Sequence, residues 1–231
     1  YAAGGGATAF TVQGSNIVND EQTGADARTL TLSGGTLSLT SPIPVGTASY
    51  TTANTYTFSP AANNLISTLS PSAVTNGNAG QETTGPVTML TDGAIIANNA
   101  NTYYVGNNSI ITYTLPIGAG SGYDVSKINI YSGWNDSGRE NITLNNISFS
   151  TVGAPTTFTP ISGSGVNYEG NTSIALASLE ASGGFLAAGV YAIQFNFGGQ
   201  ENGSVGYREL EVVGTLSTGG AINFPNTKLV V

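Results

Sequence analysis

The sequence predicts an all-β fold, a jelly-roll β-sandwich with N- and C-terminal strand extensions, from three observations. Apolar and polar residues alternate in short runs, as they do in half-buried strands. Gly, Thr, Ser and Asn interrupt the chain too often for an apolar period of 3.6 residues to last beyond two turns. Hydrophobic residues make up 39% of the 231 positions, which is enough for a packed core rather than a disordered chain.

The first clear alternation is the segment TLTLSGGTLSLT, residues 29–40. Its four leucines fall on one face of an extended chain, and the central Gly-Gly pair supplies the positive φ of a tight turn. The segment predicts a β-hairpin. Because it is almost a self-repeat, two rungs of a β-solenoid are the alternative.

Five stronger strands are expected further along, at 109–115, 127–131, 142–149, 190–197 and 207–213. The apolar phase of the third one changes around Asn145 and Asn146, which predicts a β-bulge there. The only helix candidate is the segment 173–180.

Changes in composition divide the chain into three predicted segments. Residues 1–60 are a Thr/Gly-rich β extension, 61–214 are the β-sandwich, and 215–231 are a C-terminal strand. The last segment ends on apolar residues, so we expect that strand to be paired with something. The chain has neither an initiator Met nor a signal-peptide pattern at Tyr1, and we expect a mature or excised piece.

Several functional classes conflict with the composition. Without histidine or cysteine there is no Ser-His-Asp triad, no Cys-His dyad, no thiolate metal site and no disulfide. A net charge of −8 with five cations argues against a nucleic-acid surface. No run approaches the ~18 apolar residues of a membrane span. The remaining acids show no spacing that singles out a catalytic pair, so we expect a protein that is not an enzyme.

Residues 62–214 resemble the discoidin-like domains, whose galactose-binding-like jelly roll is also called the coagulation-factor type C fold. The resemblance rests on five segments in the family's order: NLISTLSPS, PVTMLTDG, YDVSKINIYSGWNDSGRENITLNNISFS, VYAIQFNF and VGYRELEVVG. It is closest to versions found in large secreted bacterial surface proteins. The first 60 residues and the tail GGAINFPNTKLVV resemble the Thr/Gly-rich flanks of autotransporter-like proteins.

The resemblance implies a structural calcium ion. Many members of the family hold calcium with an Asp in the Asp-Gly turn and a Glu that begins the last strand, and these positions map to Asp92 and Glu209. Calcium prefers such oxygen ligands. The chain departs from the family's fuller turn, since Ala94 and two isoleucines follow. The alternative is that Asp92 caps a turn and Glu209 is solvated.

A loop with the only tryptophan is the candidate ligand site, formed by Trp134, Asn135, Asp136 and Arg139. An exposed indole can stack on the apolar face of a sugar while the polar side chains bond its hydroxyl groups. The alternative is a Trp packed at the end of the sandwich, with Arg139 paired to a buried carboxylate.

Two functions follow from these patterns. The first is a non-catalytic extracellular structural or adhesive surface protein, which forms a filament or surface layer with copies of itself or with neighbouring modules. Its self-association residues are Ile222, Phe224, Leu229, Val230 and Val231. The second is a carbohydrate-binding module of a larger cell-surface protein, with glycans as partners. Neither function requires a cofactor beyond the implied calcium.

Overall fold

The structure is a computed structural model that describes residues 9–14, 35–40, 46–53, 58–75, 85–95, 103–117, 122–134, 140–169, 174–181, 184–199, 201 and 205–217. The chain divides into two compact units, Tyr1–Ile43 with Ile222–Val231, and Pro44–Ala221. These units end at other positions than the three predicted segments, which stay predictions.

In the first unit, strand β1 (Ala9–Gly14) pairs antiparallel with β2 (Gly35–Thr40). The predicted hairpin over 29–40 would need residues 29–32 as its first strand. These lie outside the described residues, so the hairpin stays a prediction. The five self-association residues between Ile222 and Val231 also lie outside them.

The described residues of the second unit form eleven strands and one short 3-10 helix, Val87–Thr91. The strands are β3 (Gly46–Ala53), β4 (Ala73–Thr75), β5 (Tyr103–Val105), β6 (Ile110–Thr114), β7 (Tyr123–Gly133), β8 (Ile142–Thr151), β9 (Ala154–Pro160), β10 (Val166–Tyr168), β11 (Ile174–Ala181), β12 (Ala187–Phe197) and β13 (Val205–Leu216). The chain is therefore all-β, as the sequence predicts. The described part holds no helix with the length and hydropathy of a membrane-spanning segment.

Antiparallel pairing links the eleven strands into two halves. One half has the order β3-β11-β7-β13-β5, and the other is β4-β6-β12-β8, with β9 and β10 both on the outer edge of β8. Only the first residues of β7 and β12 join the halves, through the pairs Val125–Ala187 and Tyr123–Val190. From β3 to β8 and again from β11 to β13, successive strands alternate between the halves, as in a jelly-roll sandwich.

The two halves enclose one hydrophobic core. Alternate residues of each strand point into it, including Ile130 and Leu210 from the first half and Ile147 and Phe195 from the second. All four side chains are fully buried. Since both halves supply the same cluster, the linked sheet folds over itself into a β-sandwich.

The junction of the halves depends on glycine. Gly122 has a φ of +87°, and a Cβ there would lie 2.5 Å from the carbonyl carbon of Gly189, which itself has a φ of +62°. Asp124 Oδ1 accepts a 3.0 Å hydrogen bond from the Gly189 N–H. A larger residue at position 122 would push β7 and β12 apart at the corner.

The helix interpretation of 173–180 is wrong, because residues 174–181 form β11. This strand pairs with β7 on one edge and with β3 on the other. Ala175, Ala177 and Leu179 face the main core, whereas Ile174 and Leu176 belong to a second cluster on the opposite face. Both faces are covered, so the strand lacks the polar alternation that marks a half-buried strand.

The bulge predicted around Asn145 and Asn146 is confirmed. Asn196 of β12 pairs with Asn146, and the next residue, Phe197, pairs with Leu144. Asn145 is the extra residue, and its side-chain amide donates a 3.2 Å hydrogen bond to the Phe197 carbonyl oxygen. The bulge keeps Leu144 and Ile147 both directed into the core.

Candidate functional site

Two glutamates of β13 are buried on the sheet face that points away from the main core. Leu210 and Val212 face the core, so Glu209 and Glu211, which alternate with them, face outward. Both carboxyl groups belong to residues with no exposed surface. The Ala61 N–H bonds to Glu211, and Asn64 forms an antiparallel bridge with Val213 at the edge of β13, so the chain at 61–64 lies against this side of the strand. We call these two glutamates and the groups bonded to them the β13 carboxylate network.

Glu211 joins three strands of the sheet to the segment 61–64. Its Oε1 accepts a 2.6 Å hydrogen bond from the Ala61 N–H, and its Oε2 accepts bonds from Asn129 Nδ2 at 2.7 Å and the Tyr131 hydroxyl at 3.2 Å. Asn129 Oδ1 accepts in turn from the Ser178 hydroxyl at 2.8 Å. Such charge-assisted bonds compensate for the removal of a carboxylate from water.

Glu209 lies at the Asp-Gly turn. Its Oε2 accepts a 3.1 Å hydrogen bond from the Gly93 N–H, and its Oε1 lies 3.4 Å from Asn64 Nδ2. Burial raises the pKa of Glu209 to about 8; the Gly93 bond opposes this shift, and the negative charges of Asp92 and Glu211 add to it. Glu209 therefore carries a proton over much of the neutral range.

Asn64 holds the segment 61–64 against β13. Its Oδ1 accepts hydrogen bonds from the Ile66 N–H at 3.2 Å and the Val212 N–H at 3.0 Å. Its Nδ2 lies 3.3 Å from the Leu210 carbonyl oxygen, in addition to the contact with Glu209. One side chain thus satisfies backbone groups of two segments that are far apart in sequence.

The structure brings the two predicted calcium ligands, Asp92 and Glu209, close together. Asp92 Oδ1 caps the turn by accepting a 2.8 Å bond from the Ala94 N–H, as the alternative interpretation expects. Glu209 is buried, so the expectation that it is solvated is wrong. The paired carboxylates fit calcium in their chemistry, because a divalent cation would offset their repulsion. Among the described residues, no three His, Cys, Asp or Glu side chains form a metal-holding group.

The loop proposed as a ligand site is described only at its first residue. Trp134 has 5% of its surface exposed. An indole buried to this degree does not offer a ring face to a sugar in solution, so the stacking role predicted for Trp134 is not supported. The packed alternative agrees with this burial. Asn135, Asp136 and Arg139 lie outside the described residues, and their role stays a prediction.

Sequence reasoning identified Glu209 but missed Glu211, Asn64 and Asn129. A signal for Glu211 was present, because two acids separated by one residue in a strand must share a face. In ELEVV, Leu210 and Val212 occupy the core face, which leaves the acids together on the other. Nothing local in the sequence predicts that residues 61–64 lie against β13 there. The carboxyl groups of the network are buried and bonded to the sheet, to the Asp-Gly turn and to this segment, so they link parts of the chain that are far apart in sequence.

The edges of the two halves differ in how well they are protected. Strands β4, β5 and β10 have only three residues each, and β9 contains Pro155 and Pro160. Strand β3, by contrast, has eight residues with the sequence GTASYTTA, without charge or proline. No described strand pairs with its outer edge. Short length, charge and proline are the usual devices that block an edge, and β3 has none of them.

A stacked aromatic pair lies at the open side of the sandwich, where β3 and β10 form the edges of the two halves. The ring centroids of Tyr50 and Tyr168 are 5.3 Å apart, with an interplanar angle of 25°. Tyr50 is 42% exposed, which makes it one of the few large exposed hydrophobic side chains in the described residues. The pair closes the core at this side and leaves Tyr50 accessible beside the free edge.

Comparisons with known proteins show a likeness among the solved structures. No protein-family model matches the chain, and no curated protein matches it. Among solved structures, the chain is similar to the family 32 carbohydrate-binding module of C. perfringens NanJ in complex with galactose, at 14% sequence identity and a TM-score of 0.40. The match covers 72% of this chain and 92% of that one. At this TM-score the likeness carries no argument about function, which is argued below from the residues themselves.

Proposed function

We propose that this chain is a non-catalytic structural or adhesive module of an extracellular surface, and that it associates with copies of itself by adding β-strands. The observation that carries the proposal is the eight-residue, uncharged outer edge of β3. Such an edge presents unpaired N–H and C=O groups that an extended segment of another chain can satisfy. The terminal residues Ile222, Phe224, Leu229, Val230 and Val231 remain the predicted donors of such a segment.

The buried network supports a structural role. The two β13 glutamates bond to the segment 61–64, to the Asp-Gly turn and to the sheet, so these carboxyl groups support the fold rather than a site open to substrate. A general acid or base needs access to the proton it transfers. The described residues thus favour a scaffold over an active site.

The test is the size of the protein as a function of concentration. We expect the full chain to form dimers or larger assemblies at micromolar concentration in multi-angle light scattering, and electron microscopy to show whether they extend into fibres. Deletion of 222–231 separates an assembly that depends on the tail from one that does not. A chain that stays monomeric at every accessible concentration contradicts the proposal.

The second candidate is a carbohydrate-binding module, and the exposed ring of Tyr50 favours it. An accessible aromatic ring can stack on the apolar face of a sugar, and Tyr50 is 42% exposed. A glycan array separates this candidate from the first. Binding that Tyr50→Ala removes and Trp134→Ala keeps would support a sugar site at β3. Loss with Trp134→Ala alone would support the loop instead, and no binding at all would exclude this candidate.

We also propose that calcium binds at Asp92 and Glu209. The support is the closeness of the two carboxylates, whose mutual repulsion helps to raise the pKa of Glu209. A bound calcium ion would neutralise this pair and hold the Asp-Gly turn against β13.

A further inference from the structure

The hydrogen-bonding direction of β3 is fixed by one contact at its start. The Gly46 N–H donates a 2.8 Å bond to the Ser162 carbonyl oxygen instead of to β11, its partner strand. Main-chain groups of successive strand residues point to opposite edges. The main-chain N–H and C=O groups of Ala48, Tyr50 and Thr52 therefore point away from β11, as those of Gly46 do. The main-chain groups of the residues between them point toward β11.

No described strand pairs with the outer edge of β3, which thus offers three N–H and three C=O groups, at every second residue. The Gly46 N–H is already bonded to Ser162, so this run of groups is centred on Tyr50. An antiparallel copy of the same strand, related by a twofold axis at Tyr50, would place Tyr50 opposite Tyr50 and Ala48 opposite Thr52. Each of these pairs would exchange two hydrogen bonds, as alternate pairs in an antiparallel ladder do.

The side chains of β3 suit such self-pairing. Directly opposed residues would be Tyr with Tyr, Ala with Thr, and Ser49 with Thr51, so that no like charges would face each other. The nearest described charge on the adjacent strand, Glu180, is paired with Lys127 at 2.6 Å. In a chain of net charge −8, an edge without charge is where two copies can approach with least repulsion.

We propose that the outer edge of β3 binds β3 of a second copy, antiparallel around a twofold axis at Tyr50. This inference rests on the proposed self-association and names its contact. The two five-stranded halves would join into one continuous sheet, and the two Tyr50–Tyr168 stacks would meet at the axis. An isologous contact of this kind closes as a dimer, in contrast to the open filament expected of exchanged terminal strands.

The experiment that tests this contact introduces a charged side chain at position 50, on the proposed twofold axis. Tyr50→Lys would bring two ammonium groups face to face, and Tyr50→Glu two carboxylates; we expect either variant alone to dimerise at least tenfold more weakly than the wild type by sedimentation equilibrium. An equimolar mixture of the two variants should regain the dimer, because opposite charges then face each other. Thr157→Lys, at an exposed position of the proline-containing edge strand β9, is the matched control and should dimerise as the wild type does.

The outcomes separate this inference from the proposed function. Assembly that survives in both Tyr50 variants but disappears on deletion of 222–231 overturns the β3 contact and leaves self-association standing. A wild type that stays monomeric overturns both. Circular dichroism on each variant checks that the sandwich is folded. If Tyr50→Lys unfolds the chain, Thr52→Pro replaces it, because that change removes only an outward N–H, and unchanged dimerisation of the folded Pro variant also overturns the contact.

Discussion

Two strands of the half β3-β11-β7-β13-β5 differ in how their polar groups are satisfied. On β13, two carboxyl groups are buried on the outer face and bonded to the sheet and to the segment 61–64. On β3, the outermost strand of the same half, main-chain groups face outward with no described strand beside them and no charged residue on the strand itself. The carboxyl groups thus hold the chain's own segments together, and we expect the uncharged edge to bind another chain. The polar groups on the outer face of β13 are thus hydrogen-bonded within the chain, whereas we expect the main-chain groups on the outer edge of β3 to be hydrogen-bonded by a second copy.

Among single substitutions, the largest expected effect on stability comes from Asn64, which holds the segment 61–64 against β13. Asn64→Ala leaves the Val212 and Ile66 N–H groups without their side-chain acceptor and removes a donor to Glu209. We expect the free energy of unfolding to fall by about 3 kcal/mol, because buried polar groups lose their partners. Urea unfolding measures it. Asn63→Ala, at the exposed neighbouring position, is the control and should change stability by less than about 0.5 kcal/mol.

The next effect is a loss of stability as the pH rises. Because the pKa of Glu209 is about 8 in the folded state and near 4.5 when exposed, only the folded chain holds this proton between those values. The contribution is fully present below pH 4.5 and is lost as the pH rises through 8, with a slope approaching about 1.4 kcal/mol per pH unit.

Urea unfolding at a series of pH values measures this dependence, with Glu209→Gln as the comparison. The amide cannot ionise, so the variant should show a much flatter profile between pH 5 and 8. Equal slopes in the two proteins would show that another group is responsible.

Calcium should stabilise the fold at Asp92 and Glu209, beside β13. If it binds at Asp92 and Glu209, calcium at about 100 times its dissociation constant adds about 2.7 kcal/mol to stability. Differential scanning calorimetry with millimolar calcium should show a higher Tm, and more so above pH 8, where Glu209 is ionised. Asp92→Asn should reduce the shift. An unchanged Tm in wild type at both pH 6 and pH 9 would exclude the site.

The smallest effect on stability is expected at the outer edge of β3. Tyr50→Lys removes a partly exposed ring from its stack with Tyr168, and we expect a loss below about 1 kcal/mol in the monomer. Thermal unfolding at low concentration, where association is absent, measures it. A loss as large as that of Asn64→Ala would mean that the edge is part of the folding core and not a surface left for a partner.

The sequence predicts the class of fold because alternation in β8, β12 and β13 reflects burial on one face, and the shift of phase at Asn145 reveals the bulge. It fails for β11, because that strand is covered on both faces and its small apolar residues imitate a helix. It finds Glu209 through a family resemblance but cannot find Asn64, whose partners lie more than 140 residues away. The prediction that Trp134 is exposed disagrees with its burial, because a tryptophan in a polar segment can still pack at the end of the sandwich.

In the proposed dimer, a second copy satisfies the N–H groups of Ala48, Tyr50 and Thr52. Amide hydrogen exchange at single-residue resolution, measured across a hundredfold range of protein concentration, reports on these groups one by one. We expect exchange at these three amides to slow as the concentration rises, while exchange at Thr47, Ser49 and Thr51, which point to β11, stays constant. If exchange at Ala48, Tyr50 and Thr52 does not change with concentration, no second copy binds this edge.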